Sequence, residues 1–422
     1  MPTPTKGTDF IKIALSQASK DMRNVLLPMI FPALASHLSC VKFCYSDGKW
    51  HEMCGQMGHL IGSSGVGKGQ LSHLVEALMR SFRQHDNVEF GKLVDWQRQM
   101  KTKAANKEKP ERPDVSFWFP PANMTNAAFL QNAMACEEQG GRTQYINLPE
   151  VDAADQLFGG HKQVSQMVRN IYDMQRAGAL RATAEGVIGN PVMRVNMSFT
   201  STPDSARNFY KKDMQNGFFG RIPFTFKPRG ARSGKIPRQG AYGDDFLGQL
   251  DKYLVRLDSC KGEFLVKPLN KVADKLAEDM AKIADLADDD TLWELSHRSI
   301  FAAWKKGAVL WILNDQTWSR SIGEFVEWFC YYDLWSKVQV FGDMLAAGSA
   351  DDDRKRGPQN MLDLLGDTFT RQQLEALRVE NGKNQKGATA QLCNWTNRGF
   401  ITRSNQTGLY TKTEEYLKKK KD

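Results

Sequence analysis

Leu60-Ile61-Gly62-Ser63-Ser64-Gly65-Val66-Gly67-Lys68-Gly69 is the stretch on which the reading of this chain turns. It has the G-x-x-x-x-G-K spacing, in which backbone N–H groups surround a phosphate while the lysine neutralises the β and γ oxygens. Leu71, Leu74, Val75, Leu78, Met79 and Phe82 follow at i, i+3, i+4, i+7, i+8 and i+11, one apolar stripe of a helix packed on a sheet. The loop therefore opens a helix, whose N-terminus adds to anion binding. ATP is the expected ligand, held by Gly62, Ser63, Ser64, Gly65, Val66, Gly67, Lys68, Gly69 and Gln70. The plainer alternative is a flexible glycine turn ahead of an ordinary helix. The Ser or Thr that normally follows the lysine and binds Mg²⁺ is Gly69 here. Phosphate binding survives that change; metal binding at this position does not.

Working outward, a nucleotide hydrolase needs an acidic group at the end of a neighbouring strand. The run Gln144-Tyr145-Ile146-Asn147-Leu148-Pro149-Glu150-Val151-Asp152 supplies two carboxylates after an apolar strand. Glu150 falls at the place of a catalytic base. Pro149 replaces the usual metal-binding Asp, leaving Asp152 and waters to carry Mg²⁺, or hydrolysis to be slow; a helix cap by Asp152 with Glu150 solvated is the alternative. A further strand with Val195, Met197 and Phe199 on one face ends in Thr200-Ser201-Thr202-Pro203. Thr202 there either hydrogen-bonds the γ-phosphate or attacking water, or forms a turn. Arg221, in Asn216-Gly217-Phe218-Phe219-Gly220-Arg221 just before the strand Ile222 to Phe226, is either a surface residue or a finger reaching the nucleotide of an adjacent subunit.

This order of motifs resembles the AAA+ ATPases, in particular the MCM-like hexameric helicases. It is more closely similar to the DUF3987 family, helicase-like proteins found beside primases on mobile elements and phages. That likeness rests on Gly67-Lys68-Gly69, Pro121-Ala122-Asn123-Met124-Thr125, Pro149-Glu150-Val151-Asp152, Thr200-Ser201-Thr202-Pro203 and Asn216 to Ile222, and covers roughly Pro28 to Phe226. The resemblance implies a ring-forming, DNA-translocating ATPase that assembles as a homo-oligomer, a hexameric ring, with a primase or other replication protein as a further partner. It also implies a pore hairpin between Asp152 and Thr202, where Arg181 and Arg194 would grip DNA; a basic surface hairpin is the alternative.

The fold class expected is α/β: a P-loop, AAA+-like core over residues 51–230, a helical N-terminal region over 1–50, a helical lid over 241–347 and a C-terminal winged helix over 358–422. The lid is aromatic-rich; its tryptophans and tyrosines read as core, Arg298 as a second sensor, and Lys305 and Lys306 as solvated or on DNA phosphates. In the terminal segment Thr370 caps a helix, Gly387 to Asn397 makes a second, and Ile401 to Ser404 and Leu409 to Thr413 form a hairpin. The second helix would bury Ala388, Leu392 and Trp395. Thr389, Gln391, Asn394 and Arg398 then face outward for DNA, with Lys386 and Arg403 alongside. From Met361 to Asp422 there are 11 Lys or Arg against 7 acids.

Composition agrees with such partners. The 422 residues are 41% hydrophobic and 25% charged, with net charge +9, an ordinary globular balance that excludes fibrous repeats and favours polyanions. The apolar run Asn24 to Ala35 is broken by Pro28 and Pro32 and falls short of a bilayer span. The 7 cysteines include no CxxC pair and read as buried thiols of a cytoplasmic protein; that the cell is bacterial or phage-infected is what the resemblance implies. A replication initiator or regulator that binds ATP and DNA with little hydrolysis is the rival to a motor.

Overall fold

The computed structural model describes residues 7–102, 110–158, 160–180, 188–211, 214, 217–230, 238–347, 360–404 and 406–418. Its centre is a sheet of strands β1 (Met57–Gly62), β2 (Gln144–Leu148), β3 (Val195–Ser201) and β4 (Phe224–Lys227). All pairings are parallel, in the order β2-β3-β1-β4. β1 and β3 are buried at every position, the signature of a parallel sheet covered on both faces. Met57 and Ile61, Met197 and Phe199, and Ile146 and Leu148 share one face and one apolar cluster. Leu60 and Tyr145 point the other way, into a second cluster with Leu71, Leu74, Val75 and Leu78 of helix α1 (Gln70–Leu78).

That second cluster continues through the N-terminal helices into α2 (Asp244–Ser259), α3 (Lys267–Ala287), α4 (Asp290–Leu313) and α5 (Arg320–Ala347). A small sheet adds to the connection: Val41–Cys44 pairs antiparallel with Trp50–Glu52 and parallel with Gly262–Phe264. Residues of the N-terminal region thus form strands as well as helices.

Both edges of the central sheet are closed without a further strand. Along β4, Phe224 N donates to Asp333 at 2.6 Å and Phe226 N to Ser336 at 3.1 Å, both on α5. Beside β2, Tyr145 N donates to Trp118 O at 2.9 Å. Val115 to Phe119, an apolar and aromatic run whose composition alone predicts a strand, forms none, because side chains take its backbone groups. Asp86 accepts from Trp118 N and Phe119 N at 2.8 Å each, and Asn132 pairs with Phe117 N and O at 2.7 and 2.8 Å.

Two further expectations change in the helices. Lys305 and Lys306 are 4% and 1% exposed rather than solvated, because α4 is enclosed around its circumference over the stretch Ala302 to Leu310. Lys305 Nζ donates to Cys54 O at 2.8 Å, and Lys306 lies over the Phe329 ring. Trp304, Trp328 and Tyr332 are core as expected, whereas Tyr331 is 39% exposed. The cysteines are all free; Cys54, Cys136, Cys260 and Cys330 are buried, but Cys40 and Cys393 are exposed.

The C-terminal segment has its own core of Leu362, Phe369, Leu374, Leu392, Trp395 and Ile401. It comprises α6 (Arg371–Glu380), α7 (Ala388–Asn397) and a three-stranded antiparallel sheet of Thr368–Phe369, Tyr410–Lys412 and Ile401–Arg403. Thr370 and Gln373 form a reciprocal capping box at the start of α6. The whole is a mixed α/β protein with a parallel sheet and many helices, consistent with an α/β nucleoside-triphosphatase-like core. Among the described residues no helix is long and apolar enough to cross a membrane.

Candidate functional site

The glycine loop joins the C-terminal end of β1 to α1. Gly65 and Gly67 have φ of +75° and +94°, a backbone that glycine adopts without strain. Gly62 is required for a different reason, since an added Cβ would lie 3.0 Å from Val66 Cγ2 and 3.2 Å from Lys227 Cβ. Among the described residues, nothing accepts a hydrogen bond from the amides of residues 63–69. Uncommitted backbone donors ahead of a helix N-terminus are the groups that an anion uses. Lys68 Nζ folds back onto Gly62 O at 2.8 Å and Ser63 O at 3.1 Å. Burial pushes its ammonium below the usual lysine range, and the charge of Glu150 pulls it back. The groups present therefore fit a phosphate. Gln70 does not belong with them: its side chain is buried against Ser19, accepting from Ser19 N at 3.0 Å and donating to Ser19 Oγ at 2.9 Å. It anchors the N-terminal segment to the loop.

β2 and β3 deliver the other candidates to the same sheet edge. Glu150 and Asp152 are exposed on the turn after β2, whose first residue is pinned where Thr200 Oγ1 donates to Pro149 O. Thr202 caps the helix Pro203–Tyr210, its oxygen accepting from Ser205 N at 3.3 Å. That bond leaves its hydroxyl hydrogen available. Gly69 sits in helical backbone at φ −57°, with nothing within 4 Å of an added Cβ. Among the described residues no group of three or more His, Cys, Asp or Glu could hold a metal ion. A Mg²⁺ ion at this edge would depend on Asp152, Glu150, the phosphates and water. Sequence inspection passed over Lys227, which registers beside Gly62 and donates to Asp21 O at 2.8 Å. It also passed over Ser72 and Asn147; a polar residue inside an apolar strand was the available signal. His59, between the two sides of this edge, is a neutral core residue, pushed down to about 3 by burial and bonded to Tyr210 and Ser201 at 2.8 Å.

Arg221 lies at the opposite edge. It precedes β4, while Lys227 at the far end of that strand registers with Gly62; six residues of extended chain separate them by about 20 Å. Arg221 donates to Gly217 O at 2.7 Å and to Asp173 at 2.9 Å, and stacks over Tyr172. Arg298 shares that ring, so it too stands away from the loop of its own chain. Arg298 borders a cleft of about 580 Å³ that is also lined by Tyr172, Gly217, Gly220, Glu294 and His297.

The DNA candidates divide. Ala179–Leu180 pairs antiparallel with Ile188–Gly189, a hairpin whose tip, with Arg181, lies outside the described residues. Arg194 is engaged by Glu52 at 2.9 and 3.3 Å and is not a free cation. Lys386, Thr389, Asn394 and Arg403 are exposed. Gln391 is not on the outer face of α7: it is 2% exposed, bonded to Arg378, because the inner stripe runs through 388, 391, 392 and 395. Arg398 is spent on Asp285 of α3 at 2.7 Å.

No family model matches the chain, and no curated protein matches it. Among solved structures, it is similar to one described as SCCmec type IV Cch, active helicase, with 13% identity and a TM-score of 0.31, covering 97% of this chain and 70% of that one. A likeness of that size fixes neither a shared fold nor a shared activity.

Proposed function

We propose that this chain is an ATP-dependent DNA motor with a P-loop, AAA+-like core and a C-terminal winged helix. The observation that carries the reading is the run of uncommitted amides, with Lys68, at the edge where Glu150 and Thr202 also emerge. In this reading the amides bind the β and γ phosphates, and Lys68 leaves the carbonyls of Gly62 and Ser63 to pair with them. Glu150 orients a water and accepts its proton, and the Thr202 hydroxyl donates to the γ-phosphate. Asp152 and water hold Mg²⁺, which supplies charge neutralisation at the phosphates when bound. Arg221, too far to serve its own loop, completes the site of the next subunit in a ring, which the resemblance makes six-membered. Lys386, Thr389, Asn394 and Arg403 contact DNA, with a primase as a further partner, in the cytoplasm of a bacterium or phage-infected cell.

Steady-state hydrolysis with single- and double-stranded DNA tests this. Wild type should turn over ATP faster with DNA, while Lys68→Ala loses nucleotide binding and Glu150→Gln keeps binding but loses turnover by at least about 100-fold. Equal, DNA-independent rates in all three would sink the motor reading. Gly69 and Pro149, which remove both usual Mg²⁺ contacts, favour a second reading: a nucleotide-binding replication initiator or regulator with little hydrolysis. Tight binding of ATP and DNA without DNA-stimulated turnover would select it.

A further inference from the structure

Asn147 is a polar residue on an otherwise buried strand, and it faces α1. Its Nδ2 donates to Ser72 Oγ at 3.4 Å, while its Oδ1 is buried with no partner among the described residues. Turning the amide over exchanges these atoms and still leaves one of them unmatched. An unmatched buried amide atom is uncommon in a folded protein, and this one stands beside the phosphate loop.

The positions of the pair are informative. Ser72 follows Gly69 by three residues, one helical turn or about 5 Å deeper along α1. Asn147 precedes Pro149 by two residues on the same strand face, about 7 Å deeper along β2. Each polar side chain is thus set back by one repeat from a place where a direct Mg²⁺ contact is missing. Of the other polar strand groups on this face near the edge, Thr200 is bonded to Pro149 O and Lys227 to Asp21, while Thr225 Oγ1 on β4 is, like Asn147 Oδ1, buried without a partner among the described residues. Mg²⁺ keeps several waters when protein ligands are few, and a set-back of this size suits a contact made through water rather than directly.

We propose that Asn147 and Ser72 are positioning residues that hold the water shell of a phosphate-bound Mg²⁺ ion, in place of the hydroxyl missing at Gly69 and the carboxylate missing at Pro149. The proposal rests on the nucleotide-binding reading. It explains why a chain without either usual contact keeps an amide and a hydroxyl locked together one layer below them.

The test is a Mg²⁺ titration of fluorescent ATP-analogue binding, with a start point in EDTA and thermal melts as a check on folding. Wild type should bind the analogue in EDTA and more tightly as Mg²⁺ is added. Asn147→Leu and Ser72→Ala should match wild type in EDTA but require about 10-fold more Mg²⁺ to reach half the gain, the usual size of an outer-shell effect. Asn147→Asp, nearly isosteric and therefore safe for folding, should move the midpoint to lower Mg²⁺. Electron paramagnetic resonance with Mn²⁺ gives a readout independent of turnover, and should register a weaker ion in the first two variants. Wild-type midpoints in Asn147→Leu and Ser72→Ala, or in Asn147→Asp should the leucine variant melt early, overturn this proposal alone. Failure of wild type to bind the analogue under either condition overturns the phosphate-loop reading and this proposal with it.

Discussion

Two neighbouring glycines of the loop behave oppositely as residues. Gly67 holds φ +94° with Gln70 Nε2 3.0 Å from an added Cβ, so Gly67→Ala should cost about 1–2 kcal/mol in chemical denaturation. Gly69 is helical and open, so Gly69→Ser should leave stability within about 0.5 kcal/mol of wild type while raising Mg²⁺-dependent hydrolysis in the same preparation. Lys306 provides a pH signature. Burial pushes it down to about 7 from 10.5, with the charges of Lys305 and Lys337 adding to the fall and Asp333 opposing it. Between those values the unfolded chain binds a proton that the folded chain does not, so this group makes stability rise with pH across the window, its full cost standing below about 7. Lys306→Met should therefore raise Tm on the order of a few °C at pH 7, and the gap to wild type should shrink as pH approaches 10. The turn between β1 and α1 was legible in the sequence, because Gly62 and Gly67 stand where a close approach and a positive φ call for glycine. The sequence hid the burial of Lys306, because a lysine on an apolar helix reads as solvated until the circumference of α4 around it is seen to be packed.

At the scale of elements, the periodic pattern after Lys68 predicted α1, and the alternating apolar runs predicted β2 and β3. The failure at Val115 to Phe119 is instructive. Its composition is strand-like, but Asp86 and Asn132, distant in sequence, capture the amides that a ladder would use. Asp86→Ala should leave two buried amides unmatched and cost about 2–4 kcal/mol in urea unfolding, with increased hydrogen exchange at Trp118, Phe119 and the adjoining Tyr145. A similar lesson holds for α7: the sequence placed the helix, but took Gln391 as outward by counting only its apolar neighbours. Gly387 packs so tightly on this network that an added Cβ would overlap the Arg378 guanidinium.

Across the whole molecule, the sheet order puts the loop, Glu150 and Thr202 at one edge and Arg221 with Arg298 at the other. No sequence motif states that separation; it follows only from strand direction and register. The joint between the terminal module and α3 was equally illegible, since it depends on residues about a hundred positions apart: Arg378 meets Asp288, and Arg398 meets Asp285. Replacing Asp285 and Asp288 by Asn should loosen the module, seen as faster hydrogen exchange across α7, and should strengthen DNA binding at low salt by freeing the exposed Arg398 from its ion pair.

The same joint closes the end of a helix. Trp395 Nε1 donates to Asp285 O at 3.1 Å, and Lys383 Nζ to Ala287 O at 2.7 Å, so side chains of the terminal module supplement the left-handed cap that Asp288 gives α3. Acids at a helix C-terminus oppose the macrodipole and bare carbonyls there need donors. The last turn of α3 is therefore finished by a segment that folds about a hundred residues later, and the helical region borrows part of its own secondary structure from the module docked on it.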